Sequence, residues 1–281
     1  MAVKDIVVHV DDGERAKLRL ELAIELARRG DGRVIGLGVG PIVTVPAFVG
    51  AEIPAQVWEL QAEEMKARMA AAAAAFRRHT ERAGVATEWR ELAPTIDDVG
   101  GILAVHARYA DLVILGQPDP RGSRSGVDME AVGQVVVEAG GPVLIVPYAG
   151  NFTELGKRTL LAWNGSRESA RAVHDAHAIL TKGAKITVMR VNPPGRDHAR
   201  RDMASVDISV ALARHGYEAE AAHVVAEDMK VGDMILSRAA DAGVDSIVMG
   251  AYGHSRLREF ILGGATAHVL RHMTVPVLMS H

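Results

Sequence analysis

Gly250-Ala-Tyr-Gly253-His-Ser-Arg-Leu-Arg-Glu-Phe-Ile-Leu-Gly263-Gly264-Ala-Thr266 follows directly on the apolar run Asp245-Ser-Ile-Val-Met249. The apolar run has the character of a buried parallel strand, and the residues after Gly263 are rich enough in helix formers to start a helix. Glycine accepts positive φ and lets a ligand approach backbone N–H groups, while a helix N-terminus adds partial positive charge. A strand, a glycine loop and a helix start in that order can therefore hold phosphate. The same spacing also suits an ordinary tight turn with a close helix contact, and both readings stand at this level. His254 lies inside the loop, where its imidazole either meets phosphate or faces solvent.

Other chemistry finds less support. There is no Gly-x-Ser-x-Gly elbow, no Walker Gly-Lys-Ser/Thr and no Ser-Gly-Gly loop of the pyrophosphatase type. The loop contains no lysine and offers no evident base, so no catalytic set is expected and hydrolysis would at most be slow. His268 and His272 stand at i, i+4, a spacing that can place two imidazoles on one metal, but no third ligand is near and no metal site is expected. His174 and His177 read as surface or interface residues. Trp163 reads as packing at a strand end, with stacking on a base as the alternative. Arg196 to Asp202 reads as a solvated loop that could also screen phosphates. The chain has no cysteine, which removes disulfides, thiolate metal sites and cysteine nucleophiles together.

The 281 residues carry a formal net charge of −3, so no global basic field favours nucleic acid or an anionic membrane. Apolar content of 48% with 24% charged residues is that of a soluble globular protein. Lys4 and Asp5 sit at the entrance to a strand-like segment, which does not read as a signal peptide. The alanine run from Met69 to Phe76 is far shorter than the roughly 20 residues that span a bilayer and reads as part of a long surface helix. A cytoplasmic location is the expectation.

The elements that position the loop are visible as an internal repeat. Ala110-Asp-Leu-Val-Ile-Leu-Gly116 matches Val244-Asp-Ser-Ile-Val-Met-Gly250, and Pro142-Val-Leu-Ile-Val146 matches Pro276-Val-Leu-Met-Ser280, both at an offset of 134 residues. Ile6-Val-Val-His-Val-Asp11 resembles Thr159-Leu-Leu-Ala-Trp-Asn164 at an offset of 153. The difference predicts an insertion in the first half, placed as a loop or lid from Pro41 to Gln61, where Pro46, Gly50 and Pro54 break regular structure. Strands are expected near 5–10, 33–39, 87–92, 111–115 and 143–146, then near 158–163, 185–191, 218–225, 245–249 and 277–279. Leu18, Leu22 and Leu26 recur at helical spacing, and helices are expected at 58–82 and 96–107. Such alternation predicts an α/β protein of two domains, 1–150 and 151–281, each a five-stranded parallel sheet with helices on both faces, joined by a polar stretch at 148–157. Ligands of open parallel sheets bind beyond the carboxyl ends of the strands, where strand order reverses. Asn164, Val191 and the loop from Gly250 fall on that edge.

A half that opens with strand, Asp/Asn and turn, and closes with Gly-x2-Gly-x9-Gly before a Val-Pro-Val-Leu strand, resembles the universal stress protein family. Two such halves look like its tandem members. The resemblance implies two Rossmann-like domains of the universal stress protein/adenine nucleotide alpha hydrolase-like kind. It also implies ATP as ligand, with or without magnesium, and a nucleotide-dependent binding and regulatory role in stress response; a slow ATPase and an adaptor for another small ligand are the alternatives. Carried over residue by residue, Gly250, Gly253, His254, Gly263, Gly264, Ala265 and Thr266 would face phosphate or ribose. Ala162, Asn164 and Val191 would face the nucleoside. This chain departs from the family pattern at two of these positions: Gly264 stands where the family has Ser or Thr, and Asn164 where it has Asp. In the first half, Asp119, Met129 and Glu130 stand at the positions of Gly253, Gly263 and Gly264, and only Gly116 persists. Nucleotide is therefore expected in the second half alone. The resemblance further implies that 143–146 pairs antiparallel with 277–279 inside one chain; a homodimer beyond that is compatible with the sequence but not legible in it.

Overall fold

The computed structural model describes residues 3–39, 54–92, 98–121, 127–191, 207–224, 229–253 and 264–281. The first half runs β1 (Asp5–His9), α1 (Ala16–Gly30), β2 (Arg33–Val39), α2 (Ala55–Thr80), β3 (Ala86–Leu92), α3 (Val99–Ala107), β4 (Leu112–Gly116), α4 (Met129–Glu138) and β5 (Val143–Val146). The second runs β6 (Arg158–Ala162), α5 (Arg167–Asp175), β7 (Lys185–Val191), β8 (Glu218–Val224), α6 (Val231–Asp241), β9 (Ser246–Gly250), α7 (Gly264–His272) and β10 (Val277–Ser280), with residues 207–214 also helical. The strand boundaries agree with the sequence pattern to within a residue or so.

Local chemistry explains the helix starts. Asp98, Asp128 and Ser166 each accept a hydrogen bond from the backbone N–H three residues on, at 2.7, 2.8 and 3.2 Å, and so satisfy an orphan donor of the first turn. α2 begins at Ala55, behind Pro54, so the part of the expected insertion loop from 55 to 61 is helix instead. As a sequence signal Pro54 breaks regular structure, but a proline with φ near its helical value, standing just outside the first turn, is compatible with helix initiation. Residues 41–53 lie outside the described residues, as do 96 and 97 of the helix expected from 96.

All ten strands belong to one sheet, in the order β3-β2-β1-β4-β5-β10-β9-β6-β7-β8. Each half has its five strands parallel, and the halves join where β5 meets β10 antiparallel, Val277 opposite Ile145 and Met279 opposite Val143. The pairing implied by the resemblance is present, and its result is a continuous sheet. Side chains alternate across it: Ile6 and Val8 enter one apolar layer with Leu20, Leu161 and Leu278, whereas Val7 enters the other with Leu103, Val132 and Met279. Both layers run through both halves, so the apolar core does not stop at the junction.

The repeated Asp has a structural purpose. Asp111 Oδ2 accepts from the N–H groups of Lys4 and Asp5 at 2.7 and 3.0 Å. Asp245 accepts from Gly156, Lys157 and Arg158 at 2.7, 3.0 and 2.8 Å. Each carboxylate ties down the start of its half's first strand, at the edge opposite the glycine loop. Polar bonds also cross between the halves: Arg29 Nη1 donates to the carbonyls of Leu155 and Ile179, and Gln117 Nε2 donates to those of Leu270 and Arg271, which closes the C-terminal end of α7.

Candidate functional site

In the second half the strand order reverses between β6 and β9. Ala162 lies opposite Met249 on one side and Met189 on the other, and Gly250 lies opposite Ser280. Ala162, Val191 and Gly250 are thus brought to one edge, each half-buried, with Asn164 exposed beyond it. Asn164 Oδ1 accepts from Ser166 N at 3.0 Å, a local turn that passes through Gly165 at φ 76° and delivers Ser166 as the cap of α5. The Asn164 amide is therefore used in shaping the entrance to α5.

After β9 the chain is held tightly. Ala251 donates its N–H to the Ser280 carbonyl at 2.9 Å, and Tyr252 takes a left-handed conformation at φ 57°. The Tyr252 ring packs against the core, and burial pushes its hydroxyl up to about 12. Thr266, in the first turn of α7, is buried, with its hydroxyl 3.5 Å from Tyr252 N. Gly253 and Gly264 are exposed and Ala265 is half-buried. His254 and Gly263 lie outside the described residues.

The glycines do different work. A Cβ on Gly250 would lie 2.5 Å from Glu168 C and from Ser169 N, so Gly250 is required by the close passage of α5 over the strand end. A Cβ on Gly253 would lie 3.1 Å from Glu168 Oε2, and one on Gly264 would meet no described residue within 4 Å. The tight-contact reading therefore accounts for Gly250 without any ligand, while Gly264 has open space around it.

Glu168 escaped the sequence reading, although an acidic residue two positions after a Ser cap is a visible pattern. Its side chain is only 6% exposed, and Oε1 accepts from Arg167 Nε at 2.6 Å. Burial alone would raise its pKa. The Arg167 guanidinium, the backbone N–H and the Ser166 hydroxyl outweigh this and hold it at about 2. A fixed negative charge therefore stands beside the glycine loop.

The equivalent point of the first half is built otherwise. Arg19, 4% exposed, donates to the His9 carbonyl at 3.0 Å and to Asp11 Oδ2 at 2.7 Å, and its Nη1 would lie 2.7 Å from a Cβ on Gly116. The guanidinium fills the space between the ends of β1 and β4, where strand order reverses. This explains why Gly116 persists while the other loop glycines do not. Burial pushes His9 down to about 4, and Arg19 and His9 hold the Asp11 carboxyl below its usual range against the opposing effect of burial. At the start of α4, Asp128 already caps the helix and Glu130 occupies its first turn.

The remaining candidates are placed elsewhere. His268 Nε2 lies 2.6 Å from Asp233 Oδ1 with its ring 4.5 Å from that of His272, where Gly232 lets α6 and α7 approach. His177 Nδ1 lies 2.7 Å from the Tyr217 hydroxyl. Trp163 is buried in the apolar core. Among the described residues no three His, Asp or Glu side chains converge, and no helix is long and apolar enough to cross a membrane.

Residues 156–281 match the model of the Universal stress protein family. Universal stress protein Slr1230 of Synechocystis sp. is 27% identical over 179 residues, which cover 60% of this chain and 57% of that protein. The chain thus spans little more than half the length of the curated relative it matches. A universal stress protein from Archaeoglobus fulgidus superposes with a TM-score of 0.71 at 19% identity, over 98% of this chain and 97% of its own. A Pseudomonas aeruginosa PAO1 protein of unknown function superposes with a TM-score of 0.57 at 15% identity, over 99% and 92%. The second half of this chain is therefore matched to the universal stress protein family, within a fold that the whole chain shares with a solved universal stress protein.

Proposed function

We propose that residues 151–281 form a domain that binds an adenine nucleotide at the reversal point between β6 and β9, and that residues 1–150 form a second domain that does not. The observation that carries this reading is the contrast between the two crevices. In the first half Arg19 fills the crevice and Asp128 and Glu130 occupy the helix start; in the second half Gly253 is exposed and Gly264 has open space. On this reading Ala162, Asn164 and Val191 take the nucleoside and Gly253, Gly264, Ala265 and Thr266 the phosphate, and the family likeness adds His254 and Gly263 to the phosphate group. ATP is the nucleotide implied by the family likeness. Magnesium, which the family likeness implies only as an option, would enter with the phosphates as their counter-ion.

The chain works as a binding and regulatory module whose ligand state alters its interactions under stress, a role that rests on the likeness to universal stress proteins. Binding is favoured over hydrolysis because Glu168, the described carboxylate at the loop, is bound by Arg167 and its pKa is held at about 2, which makes it only a weak base near neutral pH. Isothermal titration of the full chain with AMP and ATP tests the reading. One site per chain is expected, retained in an Arg19→Met variant. Two equivalent sites would sink the proposal, as would no binding of any adenine compound.

A further inference from the structure

The loop Gly250–Gly253 lies across the first turn of α5, so a ligand seated on that loop meets whatever the turn presents. The turn presents Glu168, with Oε2 3.1 Å from the point where a Gly253 Cβ would be and its side chain 6% exposed. Among the described residues three groups face the carboxylate: the Arg167 guanidinium, the Ser166 hydroxyl and its own backbone N–H. Arg167 is 80% exposed and hydrated, and so compensates weakly for charge on a ligand. The positive end of α5, which would otherwise attract an anion, is already occupied by the helix's own carboxylate. At the repeat offset of 153 residues Arg167 and Glu168 stand opposite Glu14 and Arg15, the same two charges in reverse order, and the first-half helix begins only at Ala16.

We infer that Glu168 sets the phosphate count of the ligand, favouring a nucleoside or monophosphate over a triphosphate by charge repulsion at the loop. The inference rests on the reading that this site takes an adenine compound, and it names which members of that class fit. A neutral ligand feels no such repulsion, whereas each phosphate brought toward Gly253 approaches a like charge in a partly desolvated place.

Titrations of the full chain in EDTA with adenosine, AMP and ATP, for the wild type and Glu168→Gln, test this. Glutamine keeps the shape and an oxygen for Arg167 but not the charge. In the wild type, Kd is expected to rise from adenosine to ATP. In Glu168→Gln the ratio of the ATP to the adenosine Kd should fall by about tenfold, equivalent to about 1.4 kcal/mol, with adenosine changed less than about twofold. A structural role alone would weaken all three ligands together. A second measurement needs no variant: raising salt from about 50 to about 500 mM screens repulsion and should improve ATP relative to adenosine, whereas a loop that attracts phosphate would lose ATP. If ATP binds tightest, weakens with salt and is indifferent to the substitution, the inference falls and the nucleotide reading survives. If no adenine compound binds, both fall.

Discussion

Gly250→Ala separates the two explanations of the glycine loop. The added Cβ would stand 2.5 Å from Glu168 C, 2.5 Å from Ser169 N and 2.9 Å from Glu168 O, all backbone atoms of the first turn of α5. Relief requires α5 to back away by on the order of 1 Å, since ordinary contacts begin nearer 3.5 Å. That helix cannot swing freely: Ser166 caps it, and Ala172 and Val173 are buried beneath it. Overpacking of this kind costs about 1–3 kcal/mol and more when backbone must move, so about 3 kcal/mol is expected. At roughly 2–4 °C per kcal/mol for a domain of this size, the melting temperature should fall by about 6–12 °C. The assay is thermal unfolding followed by circular dichroism on ligand-free protein. Gly264→Ala is the control: no described residue lies within 4 Å of its Cβ, and it should change stability by less than about 1 kcal/mol, helped by alanine's helix propensity. Gly253→Ala meets a side-chain oxygen that can move, and should fall between the two. A Gly250→Ala protein that melts like the wild type but no longer binds nucleotide would refute the packing account and return this glycine to the ligand.

The strand anchors and the buried histidine give two further tests. Asp245→Ala releases three backbone N–H groups and Asp111→Ala two, so in urea unfolding the first should lose more, about 2–3 kcal/mol, and the second less; equal, negligible losses would show that water replaces both carboxylates. His9 has its pKa pushed by burial from 6.5 to about 4, so between those values the unfolded chain takes up a proton that the folded chain refuses. Stability should therefore be unaffected by His9 above about pH 6.5 and decline as pH falls toward 4, by up to about 3 kcal/mol in total. A His9→Gln variant should show a flatter pH profile in that window, and an unchanged slope would place the acid sensitivity elsewhere.

Much of the architecture was legible because it is encoded locally. Ile6, Val7 and Val8, and likewise Leu160 and Leu161, form apolar runs with the lengths of buried strands. The matched segments Ala110–Gly116 and Val244–Gly250 revealed the repeat without reference to any contact. The end of the sheet at which Ala162, Asn164, Val191 and Gly250 gather follows from strand direction alone. Pro54 shows the limit of such reading: the same residue that breaks a helix interior can precede a helix start, and only the neighbouring turns decide which.

What the sequence by itself determined was the alternation of elements, their duplication and the edge where a ligand would sit, since period, turn chemistry and chain direction are properties of adjacent residues. The tertiary structure decided what each residue at that edge is for. Gly250 is pressed by Glu168 and Ser169, some eighty positions earlier; Arg19 lies against Gly116, almost a hundred positions away; Asp245 holds the N–H groups of 156–158. Steric contact and charge act through space within a few ångströms, and the distances that matter here are set by how two halves of one sheet fold, which no local pattern records.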